Sequence, residues 1–357
     1  MKEIGLYIHV PFCDGKCPYC DFYSVRADES ALDRYTLRMK DKILSCPQEL
    51  LANTVYFGGG TPGLLGTQRL CTLLDCVRDR FGEADEITAE VNPRSSKALD
   101  FGKLKEHGLN RVSVGMQSAN DDDLRLLGRR HSAADAAETV RDIRSGGIDN
   151  ISLDLMLGIS SQTTESLRRS IDYCAELGAA HVSAYMLKIE EGTPYHKIKD
   201  TLSLPDEDET CDLYEEAVSR LAHHGYKQYE ISNFCKSGKE SRHNLKYWRC
   251  EEYLGLGPTA HSFLDGRRFY YSRSDDIPID DGEGGGSEEY IALALRLCEG
   301  LIFSEYEKRF GKPFPQKYIQ NAKRLIPTGL VLITDKNISL TVKGFLCSNA
   351  VIAEILF

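Results

Sequence analysis

The feature that most constrains this chain is an alternation of short β-rich runs with longer amphipathic segments, repeated six times in its first half. Leu6–Val10, Thr54–Phe57, Glu86–Val91, Arg111–Val114, Ile151–Met156 and His181–Met186 read as strands. Between them, apolar residues recur at helical spacing near 31–45, 67–80, 96–107, 133–145 and 164–177. Strand–helix alternation of this length means an α/β fold with a parallel sheet and right-handed crossovers. Periodicity alone fits a barrel or an open doubly wound sheet equally well. In either case polar and glycine-rich residues just after the strands mark the chemically active edge.

From about residue 206 the pattern changes. A helix near 208–223 leads to Tyr226–Ile231 and then to a polar stretch rich in histidine and aromatics. Residues 274–288, with Asp280-Asp281-Gly282-Glu283-Gly284-Gly285-Gly286-Ser287, read as a flexible linker. Beyond it come helical segments near 288–298 and 304–310, strands Leu330–Thr334 and Ile338–Thr341, and a last apolar helix. These spacings predict a small winged-helix-like module. The expected divisions are 1–235, 236–287 and 288–357.

Composition narrows the function classes. At 41% hydrophobic and 27% charged, the 357 residues can bury a core; 44 basic against 54 acidic side chains leave a net charge of −10. That acidity argues against nucleic acid as the main partner. No apolar run approaches the roughly 18 residues of a membrane span, and the N-terminal run broken by His9 lacks a signal-peptide cleavage site. The reading is a cytosolic chain.

Nine of the twelve cysteines are scattered singly, as reduced, mostly buried small hydrophobes would be. Cys13, Cys17 and Cys20 instead crowd a loop straight after the first strand. Thiolates this close can converge on one metal centre. Structural zinc normally takes four ligands, and no second Cys-x2-Cys exists here. Iron–sulfur clusters are commonly held by four cysteines, so three would leave one iron open. Gly58-Gly59-Gly60-Thr61-Pro62 follows the second strand; its glycines let a ligand approach exposed N–H groups, yet it is neither a dinucleotide fingerprint nor a P-loop.

Together, Cys-x3-Cys-x2-Cys and Gly-Gly-Gly-Thr-Pro resemble the radical S-adenosylmethionine superfamily, over residues 4 to about 235. The resemblance implies a partial (β/α)6 TIM-like barrel, a [4Fe–4S] cluster on Cys13, Cys17 and Cys20, and S-adenosylmethionine on the open iron. It carries cofactor contacts onto Tyr7, Tyr19, Gly59, Gly60, Thr61, Glu90, Gln117, Arg129 and Asp154. The chemistry of these groups suits the task, since carboxylates suit ammonium and ribose hydroxyls and arginine suits a carboxylate.

Two subfamilies are similar: the HemN-type oxygen-independent coproporphyrinogen dehydrogenases and the HemW-type heme chaperones. The dehydrogenases carry a fourth cysteine where this chain has Phe22, and a long N-terminal extension where this chain starts its first strand. His243-Asn244-Leu245-Lys246-Tyr247-Trp248 resembles the HNxxYW signature of the chaperones. That resemblance implies heme binding at His243, Tyr247 and Trp248, delivery of heme to an acceptor apoprotein, and no catalytic residue of a dehydrogenase. Homodimerisation is a family expectation, and membrane contact is expected only through the acceptor. The alternatives are the dehydrogenase itself, or a radical enzyme with another substrate. Pro258-Thr259 departs from the smaller pair often found in this family.

Overall fold

A computed structural model describes residues 1–274 and 277–357. Six parallel strands form its centre in sequence order: β1 (Lys2–Val10), β2 (Leu50–Gly59), β3 (Glu86–Val91), β4 (Arg111–Gln117), β5 (Asn150–Leu157) and β6 (His181–Met186). Helices α1 (Glu29–Leu44), α2 (Gly66–Phe81), α3 (Phe101–Glu106), α4 (Asp121–Leu126), α5 (Ala133–Ser145) and α6 (Thr164–Glu176) return the chain between them. Side chains alternate between the two faces of each strand. Leu6, Ile8, Val55, Phe57, Val112, Val114, Leu153, Leu155 and Val182 are buried apolar residues on one face. Tyr7, Tyr56, Glu90, Arg111, Ser113, Asp154 and Ser183 occupy the other. The face away from the helices is therefore polar, unlike the branched-aliphatic filling of an ordinary closed barrel.

The sheet is open. Rather than pairing with β6, β1 is flanked on its free edge by β9 (Tyr253–Leu256), and β6 pairs antiparallel with β8 (Asn233–Cys235), which pairs with β7 (Lys227–Gln228). The short helix α7 (Pro194–Ile198) and the long α8 (Glu207–His223) precede β7, and α9 (Arg242–Trp248) precedes β9. Strands β10 (His261–Leu264), β11 (Arg267–Tyr271) and β12 (Pro278–Glu283) extend the sheet beyond β9 to twelve strands.

Two sequence expectations change here. The presumed linker is in part β12, with Tyr270 opposite Ile279 and Phe269 opposite Asp280; edge pairing orders a glycine- and aspartate-rich run that has little β preference. Its residues 275–276 lie outside the described residues. The stretch after 236 is likewise continuous with the central sheet through β9–β12.

The C-terminal module comprises α10 (Ser287–Ala294), β13 (Leu301–Ile302), α11 (Phe303–Phe310), α12 (Gln316–Leu325), β14 (Val331–Ile333), β15 (Asn337–Leu340), α13 (Val342–Leu346) and α14 (Ser348–Leu356). The hairpin forms as expected, with Val331 opposite Leu340, and β13 adds a third strand. Helix α12 buries only Tyr318 and Ala322, so its apolar stripe is short and narrow. No helix among the described residues is long and apolar enough to cross a membrane.

Candidate functional site

The cysteine loop follows β1 and folds over the C-terminal ends of the strands. Backbone hydrogen bonds tie it down: Gly60 N–H donates to Val10 O at 2.8 Å and Thr61 N–H to Phe12 O at 2.7 Å. This closeness explains the glycines. A Cβ on Gly60 would stand 2.5 Å from Phe12 O, and one on Gly59, whose φ is +105°, 2.5 Å from the His9 ring. The glycine run thus first serves the approach of two chain segments. Gly59 and Gly60 nevertheless also line the cavity beneath the loop.

That cavity, of about 520 Å³, is lined by Cys13, Cys17 and Cys20 together with Tyr19, Gly59, Gly60, Thr61, Glu90, Gln117, Arg129 and Asp154. Eleven of the twelve residues assigned to cluster and cofactor from the sequence therefore meet in one place. Tyr7 lies just outside the lining, half-buried, with its hydroxyl 3.1 Å from His9 Nδ1 and its ring stacked on Tyr56. All three loop cysteines are free thiols. Among the described residues, no three His, Cys, Asp or Glu side chains come close enough to share one metal ion. A cluster is not excluded by this, because each cysteine would bind a different iron.

Cys13 Sγ lies 3.6 Å from Thr61 Oγ1, and Arg129 Nη1 lies 3.4 Å from Cys17 Sγ and 3.5 Å from the Tyr19 hydroxyl. Arg129 Nη2 also donates to Gly115 O at 2.7 Å and to Asn92 Oδ1. Gln117 holds φ of +68° at a register shift in the β4–β5 pairing, a conformation non-glycine residues adopt at some cost. Burial pushes the Glu90 carboxyl up to about 7 although the Tyr56 hydroxyl donates to it at 2.8 Å. Burial likewise raises Asp154, against hydrogen bonds from Ser183 and Ser113. Sequence reasoning missed Tyr56, Arg111, Ser113, Ser183 and Asn244, which also line the cavity. The period-2 alternation within β4, Arg111-x-Ser113-x-Gly115-x-Gln117, was the available signal.

The histidine motif is elsewhere. Helix α9 plugs the opposite, N-terminal end of the strands: a Cβ on Gly5 would stand 2.9 Å from Lys246 Cδ and 3.2 Å from the His243 ring. The backbone N–H groups of Arg242 and His243 both donate to the Glu86 carboxylate at 3.0 Å, a charge suited to a helix N-terminus. His243 is 1% exposed; Nδ1 lies 2.9 Å from Thr54 Oγ1 and Nε2 lies 2.8 Å from the Tyr247 hydroxyl. Both ring nitrogens are thus engaged, which opposes direct iron ligation in this arrangement. Tyr247 packs edge-on against Tyr253, and Trp248 lies near the Arg296 guanidinium. Of this motif only Asn244 reaches the cavity. His261, just after Pro258-Thr259, is exposed and stacked on Tyr270.

Open parallel sheet, polar inner face and a cysteine loop at the strand ends define the class. Residues 7–174 match the radical SAM superfamily, and 287–347 match the HemN C-terminal domain. The chain is 32% identical over 376 residues to the heme chaperone HemW of Bacillus subtilis, covering 98% of both chains. It is 34% identical to the HemW of Mycobacterium tuberculosis strain H37Rv, over 99% of this chain and 95% of that one. Against the HemW of Escherichia coli identity is 38% over 276 residues, 75% of this chain and 72% of that one. The chain belongs to the HemW family. Its fold also matches that of the coproporphyrinogen III oxidase HemN of Escherichia coli with a TM-score of 0.83, at 22% identity, over 99% of this chain and 89% of that one.

Proposed function

We propose that this protein holds heme and passes it to an acceptor apoprotein, with a [4Fe–4S] cluster on Cys13, Cys17 and Cys20, S-adenosylmethionine in the adjoining cavity, and no coproporphyrinogen dehydrogenase activity. The observation that carries the reading is the end-to-end similarity to proteins named heme chaperones. The cysteine-lined cavity fits the cofactor pair: three free thiols, a guanidinium beside one of them, and carboxylates deeper in. Bound there, the pair supplies one-electron cleavage of S-adenosylmethionine. The chain's own residues position and shield it. Arg129 orders Cys17 and Tyr19, Thr61 faces Cys13, and Glu90 and Asp154 offer acceptors to ammonium and hydroxyl groups.

Heme contact through His243, Tyr247 and Trp248 requires α9 to leave the strand ends and free a ring nitrogen. Anaerobic reconstitution followed by heme titration tests this, read by absorbance on wild type, His243→Ala and Thr54→Val. Heme binding lost in His243→Ala and kept in Thr54→Val identifies the ligand. Equal loss in both means that the seat of α9, not the imidazole, matters. Unchanged binding in His243→Ala removes the proposed ligand.

The dehydrogenase is the second reading, favoured by the fold shared with HemN. Incubation with coproporphyrinogen III, S-adenosylmethionine and reductant decides it, since protoporphyrinogen formation would overturn the chaperone proposal.

A further inference from the structure

Tyr56 of β2 stands between the cysteine-lined cavity and α9. Its hydroxyl donates to Glu90 Oε1 at 2.8 Å, and both residues line the cavity. Its ring stacks on the His243 imidazole, with centroids 5.3 Å apart at 29°, and also on Tyr7 at 6.2 Å. The packing here is tight: a Cβ on Gly58 would stand 2.9 Å from the Tyr56 ring, 3.1 Å from Tyr7 and 3.2 Å from Glu90 Oε1. Asn244, the residue after His243, lines the cavity directly. Two routes therefore join the cavity to the seat of α9, one through Asn244 and one from Glu90 through Tyr56 to His243. The other partners of the imidazole, Thr54 and Tyr247, lie outside the lining.

We propose that Tyr56 and Asn244 are positioning residues that tie α9 to the occupant of the cavity: S-adenosylmethionine bound against Glu90 keeps α9 seated, and so opposes heme binding through the α9 motif. This rests on the cofactor and heme readings above. When α9 leaves, the cavity loses Asn244 from its wall. Tyr56 loses the imidazole on which its ring rests, and the hydroxyl that holds Glu90 is no longer fixed. A ligand shifts an equilibrium only by the difference in its affinity for the two states. Here that difference is built in, because one state has the complete wall and the other lacks part of it. Linkage is reciprocal, so heme weakens the cofactor by the same factor by which the cofactor weakens heme.

The test measures amide hydrogen exchange of residues 241–248 in the reconstituted full chain, with and without S-adenosylmethionine, in wild type, Tyr56→Phe, Asn244→Ala and Thr54→Val. In wild type the cofactor should slow exchange about fivefold or more. Tyr56→Phe keeps the ring and removes its hydroxyl, and Asn244→Ala removes the direct contact, so each should lose part of that ratio. Thr54→Val loosens His243 from outside the cavity lining; exchange should quicken while the ratio stays. A merely structural role for Tyr56 and Asn244 would quicken exchange in their variants and leave the ratio untouched, which overturns the proposal. So does a wild type whose exchange ignores the cofactor. Heme titration should show affinity falling by a similar factor when S-adenosylmethionine is present. Slowed exchange with heme affinity unchanged overturns the antagonism and means that heme binds without releasing α9. A chain that binds no S-adenosylmethionine removes the cofactor reading and this inference with it; one that binds no heme removes the heme reading and the antagonism, while the exchange ratio still decides the tie to α9.

Discussion

His243 and Tyr247 stand one helical turn apart on α9, Nε2 to hydroxyl 2.8 Å, while Thr54 of β2 closes the other side of the imidazole at 2.9 Å. This pair fastens the plug at the N-terminal end of the sheet. His243→Ala opens a cavity and orphans two buried hydroxyls, so it should cost about 2–4 kcal/mol. Thermal or urea unfolding measures it. A loss under 0.5 kcal/mol would mean that α9 is held by its Glu86 cap alone.

Burial also lowers the His243 pKa to about 3, with the Lys246 and Arg111 charges adding to the effect. The unfolded chain, with histidine near 6.5, binds the proton more readily. The contribution of neutral His243 is thus complete above pH 6.5 and is lost as pH falls toward 3. Unfolding titrations from pH 7 to 5 should show a shallower slope in His243→Ala than in wild type; identical slopes would contradict the burial argument.

Glu230 has the opposite sign. It is fully buried, Oε1 lacks a partner among the described residues, and burial raises its pKa to about 7. Folded Glu230 holds its proton between about 4.5 and 7, where the unfolded residue does not, so this stability fades as pH rises through 7. Glu230→Gln should stabilise the protein at pH 8 by on the order of 1–2 kcal/mol relative to its effect at pH 5. Melting curves at the two pH values check the difference.

Gly60→Ala places a methyl group against Phe12 backbone atoms at 2.5 and 2.8 Å. Backbone cannot rotate away as a side chain can, so the cysteine loop must shift. Loss of iron and sulfide after reconstitution should match that of Cys17→Ala, with the C-terminal module intact by proteolysis. Normal iron content in Gly60→Ala would show that the loop tolerates the displacement.

Thr259 is a β-branched residue at φ +61°. Left-handed backbone costs such a residue about 1–2 kcal/mol, and glycine carries no such cost. Thr259→Gly should raise the melting temperature by a few degrees. A decrease would mean that the threonine side chain contributes more than the strain removes.

The sequence alone determined the parts whose signals are local. Alternating strands and helices declared the parallel sheet, and the spacing of Cys13, Cys17 and Cys20 after β1 declared a loop that gathers three thiols. The ordered polar residues came together in one cavity because they sit on, or just beyond, strands that lie side by side in chain order. What only the tertiary structure decided depends on contacts between distant segments. The glycine- and aspartate-rich run became β12 because β11 offered an edge. His243 became a buried plug, far from the cysteines, because Glu86, Thr54 and Gly5 make a seat for α9 that no property of residues 241–248 announces. Arg111 could be seen to face inward only once the register put Thr88 and Asn150 beside it. Periodicity states which residues share a face; packing alone states what that face encloses.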